Sequence, residues 1–537
     1  MNSKEPAKAI EAAPAAELIV ALQISRAFDH PVKYIKLIET HISWVLLTGD
    51  YAYKIKKPVN FGFLDFSTLE KRQFYCAEEL RLNRRFSPDI YLQVVSIRGT
   101  SSEPRISDNG PVIEYAVKMR EFSQQDLLSN YATSGKLTAA HIDAIADAIA
   151  GIHDSATRAT AESEFGTAEQ VSIWSRENLI HISDTMPADA LPRYFDALKN
   201  WCLQMDHDYS PVIDARKQNG FVRECHGDLH LRNMALIDGR VTLFDCIEFN
   251  PALRWIDTIS EVAFIAMDLQ ARGYPGYCWR FINRYLESSG DYEGSSMLRY
   301  YFVYRALVRG KVEALRIEQE YRDSKNISRH FQPAIEFLSL ANQWASNRRP
   351  GMIVMHGLSG SGKSTIAGQL LETIGAIRIR SDVERKRLFD IRPLQQTGSS
   401  PGQGIYSADA TEATYRQLRR LAATIIDAGF SVIVDATFLL KAQRDQFIHL
   451  ADEHSLTAIV IDCEAPENIL RERIIKRSKG SDDASEADLE VLDRQLQTQQ
   501  PLSAEEYDAT RVINCTPEGI SPAQIDKIRQ CLVRNAG

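Results

Sequence analysis

The stretch "MIVMHGLSGSGKST", residues 352–365, constrains the fold of this chain more than any other part of the sequence. An apolar run leads into a glycine-rich turn and then into the start of a helix, which is the setting of a phosphate-binding loop. Such a loop directs backbone N–H groups and a helix N-terminus toward phosphate oxygens. The predicted nucleotide-binding residues are Gly357, Leu358, Ser359, Gly360, Ser361, Gly362, Lys363, Ser364 and Thr365.

Two residues of this loop have separate expected roles. Lys363 is expected to reach the β- and γ-phosphates of ATP, and the hydroxyl of Ser364 is expected to ligate Mg²⁺. The charged and Pro/Gly-containing segment "NRRPGM", residues 347–352, predicts a domain boundary just before the loop. The P-loop domain is therefore expected to occupy residues 351–537.

Beyond the loop, short apolar runs alternate with helical segments, which predicts an α/β domain with a doubly wound parallel sheet. The runs are "GMIVMHG", "AIRIRSD", "SVIVDATF" and "TAIVIDC". Ligands of such sheets bind at the carboxyl ends of the strands. Asp382 and Asp435 stand at two of these ends, and Asp435 occupies the position of a metal-binding carboxylate. Helix N-caps or turn residues are the alternative interpretation of both.

The segment "ILRERIIKR" places Arg473 and Arg477 four residues apart, on one face of a predicted helix. Such a pair is suited to neutralising phosphate charge as a lid closes over a nucleotide. A solvated basic face is the alternative interpretation.

Residues 351 to about 500 resemble the P-loop kinase group that includes polynucleotide kinase and the zeta toxins. The shared features are "GLSGSGKST", "SDVER" and the arginine-bearing lid. The resemblance implies that Asp382 is the base that activates an acceptor hydroxyl and that Arg385 contacts the acceptor. It does not identify the acceptor.

A second motif, "HGDLHLRN", begins at residue 226 and is followed by the segment "FDCIEF". Phosphoryl transfer requires a base for the acceptor hydroxyl and oxygen ligands for Mg²⁺. Asp228 is the candidate base, and Asn233 and Asp245 are the candidate metal ligands. Oxygen donors favour Mg²⁺ over zinc.

The regions around this motif differ in their patterns. Residues 38–120 are predicted to form a small sheet with one helix, including a hairpin at Gly49-Asp50 and a helix with Ser67 as its N-cap. Residues 121–347 are predicted to be helical, apart from a hairpin that turns at Asp238-Gly239. The first 20 residues, rich in Ala, Glu, Lys and Pro, are predicted to form a disordered tail.

Roughly residues 38 to 345, within a predicted domain of residues 21–347, resemble the aminoglycoside phosphotransferases, which have a protein-kinase-like fold. "HGDLHLRN" matches their catalytic loop, and "FDCIEF" stands at their metal-binding aspartate. The resemblance implies an α+β bilobal domain with a small N-lobe at about 38–120 and a helical C-lobe at about 121–347.

The same resemblance assigns two further residues. Lys54 of "YAYKIKK" is expected to contact the α- and β-phosphates, although Lys56 lies on the same strand face. Glu79 is expected to pair with this lysine, with Glu78 as the alternative. "EYAVKM", residues 114–119, takes the hinge position that binds adenine. His226 is expected to orient the catalytic loop.

Composition limits the classes of partner. The formal net charge of −8 argues against a generalised nucleic-acid-binding protein. The eight cysteines are scattered without a C-x-x-C pair, which fits a reducing compartment. With no signal-like segment at the N-terminus and no run of 18 apolar residues, a cytoplasmic protein without a membrane partner is expected.

The sequence thus predicts a kinase with two ATP·Mg²⁺ sites that phosphorylates hydroxyl groups of small molecules. The resemblance as a whole is to bacterial proteins that fuse the two kinds of domain. Two alternatives remain open: a nucleotide-regulated scaffold with an inactive kinase domain, and a nucleic-acid 5′-hydroxyl kinase. The latter is suggested by Asp382, Arg385 and the basic stretch "RIRSDVERKR".

Overall fold

The structure is a computed structural model. It describes residues 12–62, 64–321, 327–346, 350–397, 403–456, 458–477, 484–508, 512–516 and 519–533. The described chain divides into two compact units. Unit 1 comprises residues 1–144, 155–171 and 210–261, and unit 2 comprises residues 145–154, 172–209 and 262–537.

The first part of unit 1 is a six-stranded sheet with strand order β1-β2-β3-β6-β4-β5 and antiparallel pairing. Its elements are α1 (Ala12–Ala21), β1 (Lys36–Glu39), β2 (Ser43–Leu47), β3 (Tyr51–Lys56), α2 (Leu69–Asn83), β4 (Tyr91–Gly99), β5 (Pro104–Ile106), β6 (Val112–Arg120) and α3 (Leu128–Thr133). The predicted hairpin at Gly49-Asp50 is confirmed as the connection from β2 to β3. Helix α2 begins one residue later than predicted, because the side chain of Thr68 rather than Ser67 accepts the cap hydrogen bond from Lys71 N.

Helix α1 corrects the predicted disordered tail over residues 12–20; residues 1–11 lie outside the described residues. Its side chains Leu18 and Ile19, together with Leu22, are buried in the apolar core of the sheet beside Tyr53. The alanine-rich composition that suggested disorder also has the highest helix propensity, and burial of the leucines and isoleucine stabilises the helix.

The next elements are mostly helical and include two small sheets. They are α4 (Ala139–Ser155), α5 (Ala168–Thr185), α6 (Phe195–Asp208), α7 (Ser210–Gln218), β7 (Val222–Glu224), β8 (Met234–Ile237), β9 (Arg240–Leu243), β10 (Trp255–Asp257), α8 (Thr258–Ala271), α9 (Pro275–Ser289), α10 (Ser295–Tyr321) and α11 (Gln332–Ala345). The predicted hairpin at Asp238-Gly239 is confirmed: both residues have positive φ, 49° and 74°, between β8 and β9. Such paired positive φ values are typical of two-residue hairpin turns.

The C-terminal part of unit 2 is a five-stranded parallel sheet with strand order β12-β13-β11-β14-β15. Its elements are β11 (Met352–His356), α12 (Lys363–Leu370), β12 (Ile377–Arg380), α13 (Ser381–Arg387), α14 (Ala408–Asp427), β13 (Val432–Asp435), α15 (Lys441–Glu453), β14 (Ala458–Cys463), α16 (Glu467–Arg477), α17 (Leu489–Thr498), α18 (Ala504–Asp508), β15 (Val512–Cys515) and α19 (Pro522–Val533). The predicted doubly wound parallel sheet is confirmed. Strands β11, β13 and β14 are buried along their whole length, as expected for strands covered on both faces.

Helix α9 packs within unit 2 along the outer edge of β12, the terminal strand of the parallel sheet. The carboxamide of Asn283 donates to the carbonyl of Ala376 at 2.9 Å and accepts from the amide of Arg378 at 2.6 Å. The indole of Trp279 also lies against Gly375. Asn283 thereby satisfies backbone groups that the edge strand would otherwise leave unpaired.

None of the helices in the described ranges combines the length and apolar character that crossing a bilayer would require. All eight cysteines are free thiols.

Candidate functional sites

The first site is the group Lys54, Glu79, Asp228, Asn233 and Asp245, all in unit 1. The predicted ion pair between strand and helix is present: Lys54 Nζ lies 2.7 Å from Glu79 Oε1. The same ammonium contacts the carboxylate of Asp245, a residue 191 positions away in the chain. Lys54 therefore joins the strand, the helix and the predicted metal ligand.

Lys56 adds a second buried ion pair to this network. Its Nζ lies 2.7 Å from Glu79 Oε2 and also contacts Glu248. Glu79 thus holds a different lysine on each oxygen. The Lys56, Glu79 and Glu248 side chains are all nearly inaccessible to solvent. Glu248 was not identified from the sequence.

Electrostatics favour the ionised forms of Glu79 and Asp245. Burial raises the pKa of Glu79, but the ammonium groups of Lys54 and Lys56 outweigh it and leave the pKa below its ordinary value. Partial desolvation raises the pKa of Asp245, but the charge of Lys54 outweighs it, so the net pKa is lowered. Glu248 differs, because burial leaves its pKa raised despite the ammonium of Lys56.

We expect Lys56→Met to destabilise unit 1 by about 3–5 kcal/mol, because it leaves Glu79 and Glu248 buried with a lost partner. Lys54→Met should cost less stability, since Glu79 keeps Lys56 and the Asp245 side chain is 47% exposed. Urea unfolding of the two variants beside the wild type measures the difference. Equal losses of unfolding free energy in the two variants would contradict the expectation that Lys56 contributes more to stability than Lys54.

In the predicted catalytic loop, His226 is fully buried. Its Nε2 lies 2.8 Å from the carbonyl of Phe244, just before Asp245, and its Nδ1 lies 3.4 Å from the amide of Asp228. Asn233 Nδ2 donates to the backbone carbonyl of Asp228 at 2.9 Å and to its Oδ2 at 3.1 Å. The predicted orienting position of His226 is confirmed, since it links the loop of the candidate base to the segment of the candidate metal ligand.

Two residues that the sequence analysis did not identify hold this arrangement. The carboxylate of Glu261 accepts from the amides of His226 at 3.2 Å and Gly227 at 2.6 Å. The amide of Asp245 donates to the Tyr91 hydroxyl at 3.1 Å. Asp245 has a left-handed φ of 65°, a conformation that a non-glycine residue adopts at a cost. These contacts join positions far apart in the chain, so no local pattern predicts them.

The choice between Glu78 and Glu79, and the predicted hinge, can both be compared with the structure. Glu78 pairs with Arg81 at 3.0 Å, so Glu79 is the partner of Lys54. The hinge assignment of residues 114–119 is wrong, because these residues lie in β6, whose backbone pairs with β3 and β4. Backbone groups used in the sheet are not available to adenine.

The second site is the P-loop site, formed around residues 357–365. Gly357 has a φ of 135°, and a Cβ there would collide with the carbonyl of Cys463. Gly362 has a φ of 99° immediately before Lys363 begins α12. Both positions therefore need glycine, for backbone conformation in each case and for a close approach at Gly357.

Lys363 is buried, and its Nζ donates to the carbonyl of Leu358 at 2.7 Å. Burial lowers the pKa of this ammonium, and the carboxylate of Asp435 opposes the shift only in part. A buried cation that is stabilised by few carboxylates is suited to binding an anion.

Most of the predicted residues of this domain line one cavity of 1320 Å³. They are Ser359, Gly360, Ser361, Gly362, Lys363, Ser364, Thr365, Asp382, Arg385, Asp435, Arg473 and Arg477. The predicted common face of Arg473 and Arg477 is thereby confirmed. Their guanidinium groups donate to the carbonyls of Gly360 at 3.2 Å and Ala487 at 2.8 Å, respectively.

Gly357 and Leu358 are the two predicted loop residues that do not line this cavity. The side chain of Leu358 packs against the apolar cluster of Leu470, Ile474 and Leu492, and its place in the nucleotide-binding loop remains a prediction. The sequence analysis also missed Gln495, whose Oε1 accepts from the amide of Ser359 at 2.9 Å. This contact ties the phosphate-binding loop to α17.

The two aspartates are not helix caps. The N-cap of α13 is Arg380, without a side-chain hydrogen bond, and Asp382 lies within the first turn. Asp435 ends β13 and is buried, with an Oδ2 that has no hydrogen-bond partner. A buried carboxylate oxygen of this kind fits a divalent cation that prefers oxygen ligands. Arg385 donates to the carbonyl of Ile405 at 2.8 Å and to Thr411 Oγ1 at 3.1 Å.

Comparisons with known proteins concern both parts of the chain. Residues 352–502 match the family described as AAA domain, within the predicted P-loop domain. The uncharacterized protein Rv2004c of Mycobacterium tuberculosis is 30% identical to the chain over 463 residues, which are 85% of this chain and 89% of that protein. The uncharacterized protein Mb2027c of Mycobacterium bovis matches with the same values.

Two solved structures are similar to separate parts of the chain. A gluconokinase from Sinorhizobium meliloti is 22% identical and covers 35% of this chain and 93% of its own, with a TM-score of 0.24. A choline/ethanolamine kinase family protein from Mesorhizobium loti is 10% identical and covers 58% of this chain and 89% of its own, with a TM-score of 0.36.

Proposed function

This chain belongs to the same protein family as Rv2004c of Mycobacterium tuberculosis, whose length it largely covers. We propose one function for the two sites of this chain. The protein is an ATP-dependent phosphotransferase with two nucleotide sites, each transferring a γ-phosphate to a hydroxyl group of a small molecule. The observation that carries the proposal is the contact of Lys54 with both Glu79 and Asp245. This contact assembles a phosphate-binding lysine beside a metal-binding aspartate.

At the first site, each residue has a role in the proposed reaction. Asp228 accepts the proton of the acceptor hydroxyl, and its side chain is 41% exposed, so an acceptor can reach it. Lys54 contacts the phosphates. Asn233 and Asp245 would hold Mg²⁺, which supplies charge neutralisation for the transferred phosphoryl group.

At the P-loop site, the backbone of residues 359–364 and Lys363 contact the nucleotide phosphates. Ser364 and Asp435 would hold Mg²⁺. Asp382 accepts the acceptor proton, Arg385 contacts the acceptor, and Arg473 and Arg477 stabilise the negative charge of the transition state. These roles use side chains that line one cavity.

A nucleic-acid acceptor has less support than a small molecule. Four of the five basic residues of "RIRSDVERKR" pair with nearby carboxylates: Arg378 and Arg380 with Glu287, Lys386 with Glu486, and Arg387 with Glu384. Cations neutralised in this way contribute little to phosphate-backbone binding.

The experiment is transfer of label from γ-³²P-ATP to a panel of sugars, amino alcohols and nucleosides, with a 5′-hydroxyl oligonucleotide as a further acceptor. We expect labelling of a small molecule that requires Mg²⁺. Binding of ATP with slow hydrolysis and no labelled acceptor would favour the scaffold alternative and contradict the proposal. Labelling of the oligonucleotide alone would favour the nucleic-acid kinase.

A further inference from the structure

Arg380 lies between two carboxylates in unit 2, and only one of them belongs to the P-loop domain. Its Nη1 is 3.0 Å from Glu287 Oε1, and its Nε is 3.9 Å from Asp435 Oδ2. Glu287 lies on α9, whereas Asp435 ends β13. Arg380 also lines the P-loop cavity, so its position bears directly on the site.

Glu287 is buried and is held by several contacts. It is 4% exposed, and its second oxygen accepts from Arg378 at 3.1 Å. Its backbone carbonyl accepts from Arg387 at 2.5 Å. Burial raises the pKa of Glu287, but the guanidinium groups of Arg380 and Arg378 outweigh it, so the carboxyl stays ionised.

The loss of Glu287 would leave Arg380 with Asp435 as its nearest carboxylate among the pairs described. Arg380 is largely buried and is attracted by both carboxylates, so loss of the attraction to Glu287 shifts the balance toward Asp435 across the present gap of 3.9 Å. A direct Arg380–Asp435 ion pair would occupy the carboxylate oxygen that otherwise has no hydrogen-bond partner. That oxygen is the one best placed to bind a cation.

We propose that Glu287 is a positioning residue for the P-loop site, holding Arg380 back so that Asp435 remains available to a divalent cation. The inference rests on the proposed function of this site. It also means that a helix outside the predicted P-loop domain determines the metal affinity of that domain. Asn283, one turn before Glu287 on α9, fixes the register of the contact through its two bonds to β12.

The test is binding of Mn²⁺ at saturating ADP, measured by electron paramagnetic resonance. The part of this Mn²⁺ binding that is lost in Lys363→Ala is assigned to the P-loop site. We expect Glu287→Gln to weaken this Mn²⁺ binding about five- to tenfold, and to change metal-free ADP affinity less than about twofold. Adding Arg380→Gln to Glu287→Gln should restore Mn²⁺ binding, because the competing cation is gone.

The matched control is Glu293→Gln, which removes an exposed ion pair to Arg420 at 2.8 Å between the same helical part and the same domain. Its Mn²⁺ binding should equal that of the wild type. The inference is overturned if Glu287→Gln leaves Mn²⁺ binding unchanged, or if Arg380→Gln does not restore it. If Lys363→Ala itself changes neither Mn²⁺ nor ADP binding, the proposed function of the P-loop site fails instead.

Discussion

Asp228→Ala lowers the rate of phosphate transfer at the first site by about 10²–10⁴-fold, the range expected when a general base is removed. ATP affinity at this site should remain within about twofold of the wild type, because the role proposed for Asp228 is toward the acceptor and not the phosphates. The structure supports such a separation. Lys54, Glu79 and Asp245 form their contacts without Asp228, which contacts Asn233, His226 and His230 instead.

The measurement is label transfer by the Asp228→Ala variant to the acceptor that the wild type modifies, beside ATP titration by calorimetry. Asp108→Ala serves as the control, because Asp108 is an exposed aspartate of the same unit. If the P-loop site modifies the same acceptor, Asp228→Ala keeps a residual rate. The part of that rate that is lost when Lys363→Ala is added is the contribution of the P-loop site. Full activity in Asp228→Ala, with no residual dependence on Lys363, would exclude Asp228 as the base.

Lys363→Ala has the second large effect, a loss of about 10²–10³-fold in turnover at the P-loop site together with weaker nucleotide binding. The reason is that the buried ammonium is the residue of the loop that brings a full positive charge to the phosphates. Removing it also releases the carbonyl of Leu358, so the loop loses an internal contact at the same time.

This variant is measured by ADP binding and by turnover in the Asp228→Ala background, where the first site is silent. Lys441→Ala, at an exposed lysine of the same domain, is the control and should behave as the wild type. Unchanged ADP stoichiometry and affinity in Lys363→Ala would mean that the P-loop does not bind the nucleotide. A lower melting temperature alone, without a change in ADP binding, would be evidence for a purely structural lysine.

The sequence was sufficient for features that are local in the chain. The glycine-rich loop, the hairpin at Asp238-Gly239 and the arginine pair on α16 each follow from a spacing within about ten residues. Strand β15 was not predicted, because "VINC" is short and is interrupted by the polar Asn514. The predicted hinge fell within β6 for a similar reason: an apolar alternation locates a strand but not its last residue.

Contacts between residues far apart in the chain could not be predicted from the sequence. Lys56 and Glu248 are 192 positions apart, and Asn283 and Ala376 are 93 positions apart. Their residue types are common on solvated surfaces, so no local pattern distinguishes a charge that is buried against a partner. Glu261 and Gln495 belong to the same class, since each binds backbone amides of a motif from another part of the chain.

The carboxamide of Asn283 on the edge of β12 has a consequence for dissecting this protein into fragments. A fragment that starts at the compositional boundary near residue 351 lacks α9 and therefore exposes the backbone edge of β12. An open edge of a parallel sheet is a template for strand pairing between molecules. Fragments intended for crystallisation or binding studies should therefore begin upstream of Pro275, where α9 starts.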